Sequence, residues 1–243
     1  MYKTIIIDDE PLACKMVEKY LQAHPEFEIV AVCHDGFTGA KAVQEHQPDI
    51  LFLDVQMPKI NGFEMLELLD ELPAVIFTTA FDEYAMKAFE NNAADYLLKP
   101  FSQERFDHAI AKYKERLPQV ETDSNWVEKV QEEYPLSDRV VLKNGPKIHI
   151  IPYDSIILIE ADDDYVKIYT VEGKFAKKRT LSYFEKSLPS DRFLRIHRSF
   201  LLNLNHLSHL EQGENQNYQA ILRNGEKVAV SRTGYQALKE RLQ

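Results

Sequence analysis

The sequence predicts a doubly wound, five-stranded parallel α/β domain followed by a mostly β domain. Three observations predict this. Four short apolar runs near the start each end on a reactive side chain: Thr4-Ile5-Ile6-Ile7 on Asp8-Asp9, Ile50-Leu51-Phe52-Leu53 on Asp54, Ala74-Val75-Ile76-Phe77 on Thr78-Thr79, and Tyr96-Leu97-Leu98 on Lys99. From Arg139 the hydrophobic period becomes two. The charge also reverses: residues 1–117 carry ten more acids than bases, and residues 139–243 carry five more bases than acids.

In the first half, strands and helices alternate. The first run is strand one. Pro11 suits a helix start, and Leu12, Ala13, Met16, Val17, Tyr20 and Leu21 recur at helical spacing. Residues 28–33 read as strand two and 37–46 as a helix. Strand three ends at Asp54. A loop over 58–62 leads to a helix through Phe63, Met65, Leu66, Leu68 and Leu69. Strand four ends at Thr79, a helix covers 84–91, and a short strand five ends at Lys99. Phe106, Ala109, Ile110, Tyr113 and Leu117 mark the last helix. Such alternation implies a parallel sheet with helices on both faces.

Residues 118–137, with Pro118 and Pro135 around a polar stretch, read as a linker, so the domains fall at 1–117 and 138–243. In the second, 139–142, 147–151, 155–160, 165–171 and 174–178 are short strand-like runs. Asn144-Gly145, Glu172-Gly173 and Asn224-Gly225 are hairpin turns, and a helix fits 181–188.

Composition excludes some classes. No apolar run has the length needed to cross a bilayer, and acids follow the first apolar stretch at once, unlike a signal peptide. Cys14 and Cys33 have neither metal-ligand nor redox spacing and read as buried thiols. A cytoplasmic protein is expected.

In a parallel sheet the four run ends meet at its carboxyl edge, where open α/β folds bind ligands. One acid at a strand end is commonly a helix cap, but four reactive strand ends together point to a site. Crowded carboxylates repel unless a cation joins them, and hard oxygen ligands suit Mg²⁺. A carboxylate there can take a phosphoryl group, with a metal and Lys99 offsetting its charge.

Asp8-Asp9, Asp54 in Leu53-Asp54-Val55-Gln56-Met57-Pro58, Thr79-Ala80 and Lys99-Pro100 resemble the receiver domain of two-component response regulators, which has a flavodoxin-like fold. The resemblance covers about residues 1–117. It implies that Asp54 accepts phosphate from a sensor histidine kinase. It implies Mg²⁺ on Asp8, Asp9, Asp54 and the backbone carbonyl of Gln56. Thr79 and Lys99 would contact the phosphoryl group, and Tyr96 would be the switch aromatic. The family also implies a cis peptide at Lys99-Pro100. The helix at 84–91, strand five and the last helix form a face that commonly dimerises in this family. Phe81-Asp82-Glu83-Tyr84 begins it, and Arg105 and Lys112 are candidate partners for acids such as Asp95.

Residues 193–203 alternate apolar and polar residues, then run apolar; Lys177-Lys178-Arg179 and Ser231-Arg232 add positive charge. Alone, these charges also fit edge-strand protection. Ile159-Glu160-Ala161 with Tyr165-Val166, the 193–203 segment, and Ser231-Arg232 before Tyr235 and Leu238 together resemble the LytTR DNA-binding domain, over about residues 138–243. That family lays loops and strand ends into successive major grooves. By position, Tyr165, Arg198 and Arg232 would approach bases, with Lys167, His197 and Asn203 nearby. His197 and Asn203 have a second reading, as holders of the loop that presents Arg198. Arginine can pair bidentately with guanine. Lys177, Lys178 and Arg179 suit phosphates. The acidic run Asp162-Asp163-Asp164 sits awkwardly beside DNA.

The expectation is a phosphorylation-dependent, DNA-binding transcription regulator of the LytR/AlgR type, not a metabolic enzyme. It would dimerise on phosphorylation and bind double-stranded DNA at repeated half-sites. An Asp-Mg²⁺ phosphotransferase is the enzymatic rival, but it needs a cap over its substrate. The other alternative couples the receiver to an RNA- or protein-binding module.

Overall fold

The structure is a computed structural model that describes residues 1–80, 93–116, 138–144, 147–212 and 218–242. The chain divides into two compact units, Met1–Val130 and Gln131–Gln243. The helix expected at 84–91, its lead-in from Phe81, and the linker at 118–137 lie outside the described residues.

The first unit holds β1 (Tyr2–Ile7), α1 (Pro11–Leu21), β2 (Phe27–Cys33), α2 (Gly36–His46), β3 (Ile50–Leu53), α3 (Gly62–Leu66), β4 (Ala74–Thr79), β5 (Asp95–Leu98) and α4 (Gln103–Arg116). The strands pair in parallel in the order β2-β1-β3-β4-β5. The apolar runs are continuous because both faces of the sheet are covered. Ile6, Phe52, Ile76 and Leu97 pack on Cys14, Val17 and Leu21 of α1 and on Phe106, Ile110 and Tyr113 of α4. The Phe52 and Phe106 rings stack 5.2 Å apart. On the other face Phe77 meets Phe63 of α3, with ring centroids at 5.1 Å. Both cysteines are buried free thiols.

Local chemistry fixes the helix starts. Pro11 opens α1. Asp35 caps α2, accepting from the Phe37 and Thr38 amides at 2.9 and 3.0 Å. Asn61 and Glu64 form a reciprocal capping box on α3. That helix is shorter than its apolar spacing predicts. The Leu68 and Leu69 amides bond the Met65 and Leu66 carbonyls three residues back, so the chain tightens out of the α-helix.

The second unit holds β6 (Arg139–Asn144), β7 (Lys147–Pro152), β8 (Ile156–Asp162), β9 (Tyr165–Thr170), β10 (Lys174–Lys177), α5 (Leu181–Ser187), β11 (Phe193–His197), β12 (Phe200–Asn203), β13 (Leu207–Gln212), β14 (Tyr218–Leu222), β15 (Lys227–Val230) and α6 (Arg232–Arg241). A five-stranded antiparallel sheet runs β10-β9-β8-β12-β11, beside a three-stranded sheet β13-β14-β15 and the hairpin β6-β7. Side-chain alternation gives the central sheet two cores. Ile159, Val166 and Leu201 pack with Phe184 of α5, while Leu158, Ile196 and Leu202 pack with Val228, Val230 and Leu238. Gly225 turns β14 into β15 with φ 85°.

The terminal helix α6 is an element the strand-based reading of this half missed. Ser231 caps it, accepting from the Gly234 amide at 3.0 Å, and also donates its own amide to Ile196 O at 2.9 Å. The helix therefore starts directly on β11.

Candidate functional sites

Register builds the first site. Ile7 pairs with Leu53, and Leu53 with Phe77. The ladder continues one residue further: the Asp54 amide bonds Ile7 O at 2.8 Å, the Asp8 amide bonds Cys33 O at 3.0 Å, and the Lys99 amide bonds Thr79 O at 2.7 Å. Asp8, Asp54, Thr79 and Lys99 thus sit side by side at the carboxyl edge. The Lys99-Pro100 peptide is cis.

Oxygens of Asp8, Asp9 and Asp54 lie within 4.8 Å of one another. Asp8 and Asp54 are only 1% and 4% exposed. Lys99 Nζ stands 2.7 Å from Asp8 Oδ2 and 3.1 Å from Asp54 Oδ2. Asp8 Oδ1 accepts from the Glu10 amide at 3.0 Å, and Asp54 Oδ1 from the Gln56 amide at 3.2 Å. Burial pushes the Asp54 carboxyl up to about 6, and it also raises Asp8. Lys99 is desolvated as well, but its two carboxylate partners outweigh this and hold its pKa above the ordinary range. One ammonium therefore does not compensate this group. Asp8 Oδ2 remains buried without a well-directed hydrogen bond despite its ion pair. This donor set fits a further hard cation.

Gly62 brings α3 against Asp54: a Cβ there would lie 2.4 Å from Asp54 O. Thr79 is fully buried. Tyr96 is half-buried on β5, with the Arg105 guanidinium 5.7 Å from its ring centre. Arg105 also donates to Tyr96 O. Asp95, buried beside it, receives Arg105 at 2.6 Å and Lys112 at 3.0 Å. The acid pairs expected on this face form within one chain, across β5 and α4. Burial works against the Asp95 charge, but these two cations outweigh it and hold its carboxyl below the usual range.

The second site is one end of the central sheet of the β unit. Phe200 pairs with Glu160, the Ala161 amide bonds Ser199 O at 2.9 Å, and Lys177 pairs with Val166. The β8-β9 turn, the β11-β12 turn and the exit of β10 therefore lie at the same end. Ser231 joins α6 to that end through Ile196. Tyr165, Arg198 and Arg232 all lie exposed at that end, Tyr165 on β9 and Arg198 across the sheet beyond β11. Residues Glu185, Arg195, His197, Arg198, Ser231 and Thr233 line a cleft of about 520 Å³ there.

The remaining expected contacts separate. His197 Nδ1 accepts from the Ser199 amide at 3.2 Å, bracing the turn. Asn203 has no exposed surface. Its amide donates to Ile156 O and Tyr153 O at 2.8 and 3.2 Å, and its oxygen accepts from the Asn205 amide at 3.0 Å. A side chain so enclosed is out of reach of a base; its bonds tie the end of β12 to the start of β8, at the opposite end of the sheet from the Arg198 turn, so they do not hold that turn. Lys167 pairs with Asp162 at 2.9 Å. Lys177 donates to Val141 O at 2.7 Å, while Lys178 is exposed. The acidic run has a structural explanation: Asp163 and Asp164 make the two-residue β8-β9 turn, with Asp163 at φ 51°, which aspartate tolerates better than most residues. Sequence reasoning missed Arg195, whose pattern is that of an ordinary strand residue.

Known proteins match both units. Residues 4–111 match the response regulator receiver domain, and residues 146–243 match the LytTr DNA-binding domain. This pairing defines a DNA-binding response regulator of a two-component system. Over 252 aligned residues the chain is 34% identical to sensory transduction protein LytT of Bacillus cereus, covering 100% of this chain and 99% of LytT. It is 37% identical to transcriptional regulatory protein BtsR of Escherichia coli over 243 residues, covering 99% and 98%. The chain belongs to the family of response regulators that join a receiver domain to a LytTr DNA-binding domain. Among the described residues no helix is long and apolar enough to cross a membrane.

Proposed function

We propose that this chain is a cytoplasmic transcription regulator switched by phosphorylation of Asp54 from a sensor histidine kinase. The observation that carries this is the carboxyl-edge cluster, in which a buried, raised carboxyl faces one lysine and two further acids. An Asp54 oxygen attacks phosphorus, the bond from phosphorus to the donor histidine nitrogen breaks, and an acyl phosphate forms. The imidazole leaves and is protonated from solvent. Asp8, Asp9, Asp54 and the Gln56 carbonyl would hold Mg²⁺, which supplies positive charge beside the transferring oxygens. Lys99 neutralises another oxygen, and the Thr79 hydroxyl donates to a third.

The hydroxyl of Thr79 drawn inward leaves room for Tyr96 to rotate. Arg105 holds both the ring and the carbonyl of Tyr96, so that rotation is passed to α4. The changed face then favours a homodimer. Two paired chains place two β units on repeated half-sites, where each raises the effective concentration of the other. Slow self-dephosphorylation is the only turnover the chain itself would perform.

In the β unit, Arg198 and Arg232 read bases, Tyr165 approaches them, and Lys178 meets phosphates. The outer strands β10 and β11 are four inter-strand steps apart, about 19 Å. A major groove is about 12 Å wide. The sheet end is therefore wider than one major groove. Arg198→Ala and Arg232→Ala are each expected to weaken specific binding by about 1–3 kcal/mol, with the fold intact by circular dichroism. Unchanged affinity in both variants would move recognition elsewhere.

A further inference from the structure

We propose that Arg195 is a positioning residue, clamped by Glu185, that fixes the turn presenting Arg198 to DNA. This rests on the DNA-reading role given to Arg198 above. The Arg195 guanidinium makes three contacts that join two elements. Its NH1 donates to Glu185 Oε2 at 2.6 Å and to Ser182 Oγ at 3.2 Å, both on α5. Its NH2 donates to Arg198 O at 2.9 Å. Helix α5 is itself seated in the core through Leu181, Phe184 and the adjoining Leu188. The clamp therefore ties an exposed turn to a buried anchor.

The charge arrangement argues against Arg195 as a phosphate contact. Its guanidinium is already matched by the Glu185 carboxylate, and its side chain is 30% exposed. A carboxylate beside DNA also repels the backbone, so Glu185 has a cost that its positioning role offsets. The pair is too exposed to contribute much to stability. What it supplies is geometry: a lysine at 195 could not span three acceptors with one point charge, whereas the planar fork can. His197 braces the same turn from inside through the Ser199 amide. Arg198 is thus left as the exposed side chain of a turn held at both ends.

The test measures specific and nonspecific DNA affinity of the full chain across salt concentrations, for Glu185→Gln, Arg195→Gln, their double variant and Arg198→Ala. The expected result is about a tenfold loss of specific affinity in each clamp variant. The double variant should lose no more than either single one, because the two side chains act as a unit. The slope of log affinity against log salt should stay unchanged, and Glu185→Gln should bind nonspecific DNA no more weakly. A slope reduced by ~1 in Arg195→Gln would make Arg195 a phosphate contact and overturn the proposal. Specific affinity retained in both clamp variants, while Arg198→Ala loses it, would overturn the clamp alone. Specific affinity retained in Arg198→Ala would overturn the DNA-reading role and the clamp with it.

Discussion

Asp54→Asn is expected to abolish labelling of the protein by acetyl phosphate with Mg²⁺ while leaving the receiver more stable at neutral pH. The side chain keeps its shape, but the amide has no nucleophilic oxygen to form an acyl phosphate. The stability effect has a sign that can be worked out. Burial raises the Asp54 carboxyl to about 6 in the folded protein, above the ordinary aspartate value. The folded state then binds a proton more tightly than the unfolded state, so stability falls as pH rises from about 4 through 6. Asparagine removes that cost. The variant should gain on the order of 1–3 kcal/mol at pH 7, with the gain disappearing below about pH 4. Mg²⁺ should raise the melting temperature of the wild type more than that of the variant, because it binds the folded acidic cluster. Denaturant unfolding at pH 4 and pH 7, and thermal unfolding with and without Mg²⁺, check these three statements. Label persisting on Asp54→Asn at the wild-type level would remove Asp54 as the acceptor.

Gly234→Ala is expected to cost about 3 kcal/mol and to loosen the end of the β unit proposed to face DNA. A Cβ at 234 would stand 2.0 Å from Ile196 O and 2.6 Å from Ile196 C. Those are backbone atoms of β11, an outer strand of the five-stranded sheet, and no rotamer change relieves them. Helix α6 must lift away from β11, which breaks the Ser231 bonds to Ile196 O and draws the fully buried Leu238 from its core. Arg232, the first residue of α6, moves with it. Hydrogen exchange on the amides of β11 and α6 should accelerate in the variant, with the receiver amides unaffected. Wild-type exchange at those positions would mean that the contact yields without loss.

The receiver was the more legible half because its signals are local. A continuous apolar run followed at once by Asp, Thr or Lys tells both where a strand ends and what it delivers. Parallel pairing then places Asp8, Asp54, Thr79 and Lys99 together with no further information. The β unit pairs strands that are distant in sequence, so its division into three sheets was not readable from period-two runs. Asn203 shows the difference. The family resemblance implied a place for it near the bases, yet its amide is used on the backbone carbonyls of Tyr153 and Ile156. Likewise, Asp162-Asp163-Asp164 looked like a charge problem and proved to be a turn with an ion pair to Lys167. Arg195 could not be distinguished from other charges until Glu185 and Arg198 were seen on either side of it.

The pairing of Asp95 with Arg105 and Lys112 also bears on dimerisation. Its buried carboxylate already has two cations from its own chain. A dimer through this face would have to form around that triad or exchange it. The triad joins β5, which carries Tyr96, to α4.

Genome-wide DNA footprinting of wild-type protein against Asp54→Asn, under conditions that activate the kinase, tests the central claim most directly. The phosphorylation switch predicts wild-type protection at paired half-sites that fades or disappears in Asp54→Asn. Equal protection at the same sites in both would contradict control of DNA binding through Asp54.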